Sequence, residues 1–278
     1  MKRACVIGWP IEHSRSPLIH GYWLKKYGID GAYTKEAVPP EAVSQFLRSL
    51  AANGFVGCNV TVPHKEAAFA AAQEKEPSAL AVAAANTLWL EGGKLHAANT
   101  DTYGFMTYLQ ERAPGWDTND LPVSILGAGG AARAIIYGFL EAGVSEVRVF
   151  NRTRARADAL AQHFGPGVKA FDWRERTRRA RKTAVLVNTT TIGMNGIGSL
   201  DIDFHTFDPT CVVCDIVYVP LETELIVRAR GRGLRTVDGL GMLLQQAVPG
   251  FEKWFGVRPE VTAELRDLLV ADIEATTC

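Results

Sequence analysis

Hydrophobic residues in the first half of the chain fall into short apolar runs separated by segments with helical spacing. The short runs predict strands over 3–7, 32–38, 55–60, 87–90 and 94–97. The segments between them predict helices over 17–27, 41–52 and 63–72. The two runs that flank Gly92 and Gly93 have the form of a hairpin. This alternation predicts a parallel or mixed α/β sheet covered by helices, with an antiparallel strand near one edge.

The second half of the chain repeats the alternation and then changes character. Strands are predicted over 123–126, 147–150, 168–171, 184–188 and 212–216. Helices are predicted over 103–112 and 131–142, and a third ends at Phe164. The last segments, 239–255 and 259–270, have helical spacing with no further strand pattern. They either cover the second half or return to the first, and periodicity does not distinguish these arrangements.

Composition is that of a globular protein with one large or two ordinary domains. The 278 residues are 47% hydrophobic, and 30 basic residues balance 30 acidic ones, which gives no support to general polyanion binding. The basic segment 174–182 lacks interleaved aromatic residues, so we expect a solvated helix face there rather than a nucleic-acid site. No apolar stretch has the length of a membrane helix, and the N-terminus enters a strand rather than a signal peptide. We therefore expect a cytoplasmic protein.

The cysteines do not have the spacing of a disulfide framework; they are Cys5, Cys58, Cys211, Cys214 and Cys278. Cys211 and Cys214 form a CxxC pair inside the strand-like stretch CVVCDIVY, and no second pair of Cys or His residues lies at ligand spacing. We therefore expect core thiols and no metal site.

A glycine-rich turn follows the strand predicted at 123–126. Gly127, Gly129 and Ala132 match the small positions of the dinucleotide-binding fingerprint, and a helix pattern follows them. Small residues let the backbone turn tightly and approach a pyrophosphate, whose charge then meets the amides of the helix N-terminus. The sequence therefore predicts a dinucleotide site here. The turn that begins at Thr189 follows another buried strand, at the kind of position where such sheets bind ligands.

The residues after the next strand indicate which dinucleotide is bound. NAD sites usually carry an acidic residue about 20 residues after the glycines, where it binds the ribose hydroxyls. This chain instead carries Asn151, Arg152 and Thr153, followed by Arg154 and Arg156. Guanidinium groups bind a 2′-phosphate through charge-assisted hydrogen bonds, so the sequence predicts NADP. The alternative is a tight turn followed by a solvated basic helix face.

Polar clusters lie at several predicted strand ends and helix starts. Ser16 precedes Pro17, and from the residues alone we favour a helix N-cap followed by proline. Lys65 follows Asn59 and Thr61 at a helix start, where the helix dipole disfavours a cation, and this local cost indicates a function. Three further clusters are Asn86-Thr87, Asn99-Thr100-Asp101 and Gln245-Gln246. Adjacent glutamines do not share a helix face, so we expect one of them to point inward to a ligand.

Taken in order, these clusters and turns resemble the motifs of the shikimate dehydrogenases, and the match covers nearly the whole chain. The motifs are GxPIxHSxSPxxH (8–20), NVTxPxK (59–65), Asn86-Thr87, NTD (99–101), GAGGAAR (127–133), NRT (151–153), NxTxxGM (188–194) and DGLGMLxxQA (238–247). The resemblance implies an α/β fold with two lobes: a substrate lobe of 1–102 and 240–278, to which the C-terminal helices return, and a Rossmann-like NADP lobe of 103–239. Trp9 and Thr102 depart from the family pattern beside the implied site, so we expect them to affect substrate fit.

The resemblance also implies roles for individual residues. Lys65 and Asp101 are similar to the family's catalytic pair, and Ser14 and Ser16 resemble the hydroxyls that hold the substrate carboxylate. Further residues similar to substrate-binding ones are Thr61, Asn86, Tyr218 and Gln246. The implied cofactor-binding residues are Gly127, Ala128, Gly129, Gly130, Ala131, Asn151, Arg152, Thr153, Arg156, Thr189 and Gly239.

By this resemblance, we expect reversible NADPH-dependent reduction of 3-dehydroshikimate to shikimate, in aromatic amino-acid (chorismate) biosynthesis. The expected partners are this small substrate and NADP, with no nucleic acid or membrane, and the chain is expected to be a monomer or homodimer. One alternative is a quinate/shikimate dehydrogenase, often NAD-dependent, against which Ser16 and the residues 151–153 argue. The other is a non-catalytic NADP-binding module, against which the presence of both Lys65 and Asp101 argues.

Overall fold

The computed structural model describes residues 1–277, which form two compact units. Unit 1 comprises Met1–Gly104 and Leu244–Leu269. Unit 2 comprises Phe105–Leu243 and the chain from Val270 onward. Each unit contains one six-stranded sheet. The α/β fold class predicted from the sequence is therefore confirmed, and part of the C-terminal helical region returns to the first unit.

Strands and helices alternate along most of the chain. The strands are β1 Lys2–Gly8, β2 Gly31–Ala37, β3 Phe55–Val60, β4 Glu74–Lys75, β5 Thr87–Glu91, β6 Lys94–Ala98, β7 Val123–Leu126, β8 Val147–Asn151, β9 Val168–Asp172, β10 Val185–Asn188, β11 Val212–Asp215 and β12 Arg235–Val237. The α-helices are α1 Ser16–Lys26, α2 Val43–Arg48, α3 Lys65–Ala71, α4 Pro77–Val82, α5 Asp101–Arg112, α6 Gly130–Glu141, α7 Arg154–Phe164, α8 Arg176–Ala180, α9 Glu224–Gly231, α10 Leu240–Phe255 and α11 Ala263–Thr277. Within residues 1–277, none of the helices has both the length and the apolar character needed to cross a membrane.

The sheet of unit 1 has the order β2-β1-β3-β5-β6-β4. β1 pairs in parallel with β2 and β3, whereas β5 runs antiparallel to β3 and β6. Gly92 and Gly93 have φ angles of 57° and 76° and form the two-residue turn of the predicted β5–β6 hairpin. Because of these directions, the carboxyl ends of β1, β3 and β6 and the amino end of β5 meet at one edge of the sheet.

The sheet of unit 2 is parallel throughout its pairs, in the order β12-β11-β10-β7-β8-β9. This is the strand order of a Rossmann fold, in which the direction of winding reverses between β7 and β10. Val123 and Ile125 of β7 pack into the core on one face of the sheet, and Leu126 packs into the core on the other. The short apolar run is therefore buried on both faces, as its composition predicts.

The cysteines lie inside these cores. Cys5 and Cys58 belong to the core of unit 1, and Cys211 and Cys214 to those of unit 2. All four are buried free thiols, and the core position predicted for Cys211 and Cys214 is confirmed. Cys278 lies outside the described residues.

Several predicted boundaries are wrong by more than two residues. The helix predicted over 41–52 is a 3-10 turn over Pro40–Ala42 followed by the short α2, and the Ser49 hydroxyl donates to the Gln45 and Phe46 carbonyl oxygens where α2 ends. The last helix starts at Ala263 rather than near residue 259, because the Thr262 hydroxyl caps it by accepting from the Leu265 amide. The short elements β4, α4, α9 and β12 were not predicted.

Gly57 in β3 is required by the packing of α10 on the sheet. The Trp254 indole donates to the Leu88 carbonyl oxygen at 2.9 Å, and a Cβ at Gly57 would overlap both of these groups. We expect Gly57→Ala to lower the free energy of unfolding by about 2–3 kcal/mol, as overpacking a rigid core does. Urea unfolding followed by tryptophan fluorescence measures this loss.

Gly21→Ala is the matched control for this prediction. Gly21 lies in α1 with open space around its Cβ position, so alanine should leave stability unchanged or raise it by up to about 1 kcal/mol. Equal stability of the two variants would contradict the packing of Trp254 over Gly57.

Candidate functional site

Lys65 and Asp101 form an ion pair in unit 1. Lys65 is the first residue of α3 and Asp101 the first residue of α5. The Lys65 Nζ lies 2.6 Å from the Asp101 Oδ2, and the side chains are 29% and 13% exposed. A carboxylate is favourable at a helix N-terminus and an ammonium group is not. Asp101 therefore supplies the charge that offsets the unfavourable position of Lys65.

Asn86 fixes the other oxygen of Asp101. Its amide nitrogen donates to the Asp101 Oδ1 at 2.8 Å. Its amide oxygen accepts from the Thr100 backbone nitrogen at 2.8 Å and from the Thr87 hydroxyl at 3.1 Å. Both ends of this buried amide are thus engaged. The orientation of the Asp101 carboxylate is set by a neutral group that is itself immobilised.

Asn59 extends the polar network from Asn86 to Tyr33. The Asn59 amide nitrogen donates to the Asn86 carbonyl oxygen at 3.1 Å and to the Thr87 hydroxyl at 3.2 Å. Its amide oxygen accepts from the Tyr33 hydroxyl at 2.6 Å. Burial raises the pKa of Tyr33 well above its usual value, and the nearby Ser16 side chain acts in the opposite direction. Hydrogen-bonded polar groups therefore run from Tyr33 to Lys65, and Ser16 lies beside Tyr33.

The expected capping role of Ser16 is wrong. Arg15 occupies the N-cap position of α1, and Ser16 is already the first helical residue. The Ser16 side chain is buried beside Tyr33, and α1 has no side-chain capping hydrogen bond at its N-cap.

The remaining unit 1 residues of the predicted site lie around this network. Ser14 is half-buried, and its hydroxyl accepts from the Ser16 amide at 3.4 Å. Thr61 follows β3, and its amide donates to the Ile7 carbonyl at 2.9 Å. In α10, Gln245 is buried while Gln246 is partly exposed. Ser14, Ser16, Thr61, Lys65, Asn86 and Asp101 thus follow or precede strands that meet at one edge of the unit 1 sheet.

His20 lies behind this network in an aromatic cluster. Its ring is fully buried, stacks on Tyr33 at 4.0 Å and contacts Trp23, Phe251 and Trp254. Among the described residues, neither ring nitrogen has a hydrogen-bond partner. Burial lowers the pKa of His20 from 6.5 to about 3, so the ring is neutral at physiological pH.

The depressed pKa of His20 predicts acid sensitivity of the fold. The unfolded chain takes up a proton at this residue near pH 6.5 and the folded chain only near pH 3, so the stability contributed above pH 6.5 is lost as pH falls. We expect this residue to lower the free energy of unfolding by about 1.4 kcal/mol per pH unit in the middle of that window. In His20→Phe, which keeps an aromatic ring, the pH dependence of urea unfolding should be shallower by that amount. Equal slopes in the two proteins would contradict a neutral buried His20.

In unit 2, the predicted glycine turn lies at the reversal point of the sheet. Gly127 has a φ of 107°, and a Cβ there would lie 2.6 Å from the Thr189 hydroxyl oxygen. The Thr189 amide and hydroxyl both donate to the Leu126 carbonyl oxygen at 2.8 Å. The turns after β7 and β10 are therefore joined, and only glycine fits between them.

The N-terminus of α6 is open to solvent. Gly129 is its N-cap and Gly130 its first residue; both are exposed, and their Cβ positions have open space around them. Within the described part of the chain, no side chain caps this helix. Ala128 and Ala131 flank these glycines and are partly exposed. The arrangement fits a dinucleotide pyrophosphate, because unsatisfied amides and the helix dipole both favour an anion there.

The basic residues after β8 are exposed at the start of α7. The Asn151 amide donates to the Thr153 carbonyl oxygen at 2.8 Å and shapes the turn. Arg154 is paired with Asp158 at 2.8 Å. Across residues 1–277, neither Arg152 nor Arg156 forms an ion pair, and both side chains are exposed. These two guanidinium groups are thus available to an anionic ligand.

The loop after β11 carries the remaining predicted residues of unit 2. Tyr218 lies in this loop and is partly exposed. Gly239, just before α10, is buried, and a Cβ there would overlap the Ile216 carbonyl oxygen. Gly239 therefore allows the start of α10 to approach this loop closely.

Tyr33, His20 and Asp215 are polar groups in or near these sites to which the sequence analysis gave no role. Tyr33 occupies the inward-facing position of β2, and Asp215 ends the buried run VVCD, which is an unusual place for a carboxylate. That burial pattern is the signal that could have found Asp215. In the described ranges of the chain, no group of three His, Cys, Asp or Glu side chains is placed to hold a metal ion.

Three stretches of the chain match known protein families. Residues 6–88 match the shikimate dehydrogenase substrate binding domain, 109–200 match shikimate / quinate 5-dehydrogenase, and 239–263 match the shikimate 5'-dehydrogenase C-terminal domain. The curated shikimate dehydrogenase (NADP(+)) of Azorhizobium caulinodans is 54% identical over 275 residues, which cover 99% of this chain and 98% of the relative. The chain belongs to the shikimate dehydrogenase family. The family resemblance given by the motifs is confirmed.

Solved structures of a shikimate and a quinate dehydrogenase share the fold over nearly the whole chain. The shikimate 5-dehydrogenase of Thermus thermophilus, in complex with NADP(H) and shikimate, has a TM-score of 0.85 at 33% identity and covers 100% of both chains. The quinate dehydrogenase of Corynebacterium glutamicum, in complex with NAD, has a TM-score of 0.88 at 28% identity and covers 97% of this chain and 99% of its own. Fold similarity alone therefore does not separate shikimate from quinate as substrate, and the choice depends on the site.

Proposed function

We propose that this chain catalyses the reversible NADPH-dependent reduction of 3-dehydroshikimate to shikimate, a step of aromatic amino-acid biosynthesis. The observation that carries the proposal is the Lys65–Asp101 pair, 2.6 Å apart and oriented by Asn86. The proposal is also supported by the 54% identity between this chain and a curated shikimate dehydrogenase (NADP(+)). A neutral amide, a carboxylate and an ammonium group in one network suit proton delivery to a ketone oxygen.

The proposed reaction needs a hydride and a proton. NADPH, when bound, supplies the hydride to the ketone carbon and becomes NADP+. As the carbon–oxygen double bond opens, negative charge develops on the oxygen, and the Lys65 ammonium group stabilises it and donates the proton. Asp101 holds Lys65 in place and accepts a hydrogen bond from the substrate. Asn86 keeps the Asp101 carboxylate in one orientation.

The other substrate contacts of the proposal come from hydroxyl and amide groups. Ser14 and Ser16 would hold the substrate carboxylate, since the Ser14 hydroxyl adjoins the Ser16 amide and the Ser16 side chain lies beside Tyr33. Thr61, Asn86 and Gln246 would bind the ring hydroxyls. Tyr218, on the loop after β11, completes the proposed set of substrate contacts.

The residues of unit 2 suit NADP. The uncapped start of α6, reached through Gly127, would hold the pyrophosphate. Arg152 and Arg156 would hold the 2′-phosphate, with Asn151 and Thr153 shaping the turn between them. Thr189 and Gly239 line the neighbouring turns of this proposed cofactor site.

Quinate oxidation with NAD is the second candidate, because the quinate dehydrogenase of Corynebacterium glutamicum shares this fold. Two features of this chain favour shikimate and NADP. Ser16 stands where quinate-type relatives commonly have threonine, and arginines follow β8 where an acid would bind the NAD ribose. A cytoplasmic location belongs to the same proposal, and the buried free thiols of Cys5, Cys58, Cys211 and Cys214 suit a reducing compartment.

Product identification tests the proposed function. Purified protein would be incubated with 3-dehydroshikimate and NADPH, and the products separated by chromatography. We expect one shikimate for each NADPH consumed. NADPH that binds but is never consumed would instead support a non-catalytic NADP-binding module.

A further inference from the structure

Asp215 is a buried carboxylate at the end of β11 in unit 2. Only 2% of its surface is exposed. Its Oδ1 accepts from the Asn188 side chain at 2.9 Å and from the Val217 amide at 3.0 Å, and its Oδ2 accepts from the Thr223 hydroxyl at 2.7 Å. In residues 1–277 it forms no ion pair, although buried aspartates are usually paired with a cation. Three neutral donors hold this carboxylate in the core, so its role is not to pair with a cation.

One of these donors ties Asp215 to the turn after β10. The Asn188 side-chain nitrogen also donates to the Ile192 carbonyl oxygen at 3.2 Å. The Asn188 oxygen accepts from the Thr190 amide at 3.0 Å and from the Thr190 hydroxyl at 2.7 Å. Asp215 therefore holds the Asn188 side chain, whose other hydrogen bonds shape the turn of residues 189–192. Thr189, a proposed cofactor contact, begins this turn.

The other two donors tie Asp215 to both ends of the loop after β11. Val217 lies at the start of this loop. Thr223 lies at its end, where its hydroxyl also caps α9 by accepting from the Ile226 amide at 3.4 Å. One carboxylate therefore closes the loop of residues 216–223 at both ends. Tyr218, a proposed substrate contact, lies inside it.

We propose that Asp215 is a positioning residue whose ionised carboxylate holds the Thr189 turn and the Tyr218 loop in their binding arrangement. The inference rests on the proposed function, because it assigns Asp215 to the residues through which NADP and substrate are bound. Asp215 itself touches neither ligand in this account. It acts only through Asn188, Val217 and Thr223.

Because this positioning role needs the ionised carboxylate, it depends on pH. Burial raises the pKa of Asp215 from 3.8 to about 6, against the three hydrogen bonds, which favour the carboxylate. The adjacent ionisable group is the Cys214 thiol, whose pKa is raised by burial and, to a smaller extent, by the Cys211 thiol and by the Asp215 and Asp238 carboxylates. Protonation adds a donor beside three partners that already donate, so the Thr223 hydroxyl must give up the bond that it donates to Asp215. The loops should therefore loosen as pH falls through about 6.

Asp215→Asn tests the proposal, because it keeps the shape but cannot ionise. The new amide retains one acceptor oxygen and turns a donor toward Thr223, which is already a donor to this position. At neutral pH we expect NADPH affinity, measured by protein fluorescence, and kcat to fall roughly 10- to 100-fold, as displaced contact residues do. Wild-type kcat/KM should fall below about pH 6, and the variant should lack this limb.

Asp208→Asn is the matched control. Asp208 also accepts from a threonine, at the Thr210 amide (2.9 Å) and hydroxyl (2.6 Å), but it is not buried and joins neither loop. This variant should keep wild-type affinity, kcat and pH profile. Thr223→Val and Thr223→Ser provide a second test, independent of how well Asp215→Asn folds. The valine variant should share the losses, and the serine variant, which keeps the hydroxyl, should not.

Three outcomes would overturn the inference: an unchanged pH profile and NADPH affinity in Asp215→Asn, equal losses in Asp208→Asn, or equal behaviour of the two Thr223 variants. Failure of the proposed function is distinguishable from these, because it would show as absent turnover in the wild-type protein. NADPH binding by the variants still tests the positioning role in that case.

Discussion

Replacing Lys65 with alanine is expected to lower kcat for 3-dehydroshikimate reduction by about 10²–10⁴-fold, the usual loss when a proton donor is removed. The Lys65 ammonium group lies 2.6 Å from Asp101 and is partly exposed, so it can meet a substrate oxygen. Asp101 keeps its bond to Asn86 in the variant, so the local structure should persist. NADPH affinity, measured by fluorescence, should remain within about twofold because the proposed cofactor residues lie in unit 2.

Lys94→Ala is the matched control for this variant. Lys94 also lies in unit 1 and pairs with Glu74 at 2.5 Å, but it belongs to the exposed end of the β5–β6 hairpin. Its loss should leave kcat unchanged. Near-normal turnover in Lys65→Ala would remove Lys65 from the mechanism, and equal losses in both variants would show that the effect is not specific to the pair.

Replacing both Arg152 and Arg156 with alanine is expected to weaken NADP binding by about 100-fold or more while leaving NAD binding nearly unchanged. Each charge-assisted hydrogen bond to a phosphate contributes about 1.5–3 kcal/mol, and NAD lacks the 2′-phosphate. Both side chains are exposed at the start of α7, so their removal should not disturb folding. Dissociation constants for NADP and NAD, measured on the same preparation, give the ratio directly.

Arg154→Ala separates a specific phosphate contact from general basicity. Arg154 lies between the two arginines in sequence and carries the same charge, but its side chain is engaged by Asp158 at 2.8 Å. We expect this variant to bind NADP within a few-fold of wild type. Equal losses for NADP and NAD in the double variant would show that these arginines do not recognise the 2′-phosphate.

The proposed cofactor site could be predicted from the sequence because most of its residues lie close together along the chain. The elements from β7 to β8 follow one another directly, so the apolar run, the glycines and the helix pattern were all visible within about 30 residues. The structure adds why Gly127 is required, since Thr189 occupies the space of its Cβ. That contact joins residues 62 positions apart, and no local pattern contains it.

The polar network of unit 1 could not be derived in the same way. Lys65 attracted attention because it opposes the helix dipole, but its partner Asp101 lies 36 positions away. The Tyr33–Asn59 bond spans 26 positions and depends on β1 lying between β2 and β3. For Ser16 the local pattern was misleading. It predicted a helix N-cap, but Arg15 occupies that position and the Ser16 side chain is buried beside Tyr33.

The central claim is tested most directly by mixing the purified protein with NADP and shikimate and following nicotinamide absorbance. NAD with shikimate, NADP with quinate and NAD with quinate are measured in parallel. The account predicts rapid reduction of NADP by shikimate and little change in the other three mixtures. Turnover that prefers quinate or NAD, or no turnover in any mixture, would contradict it.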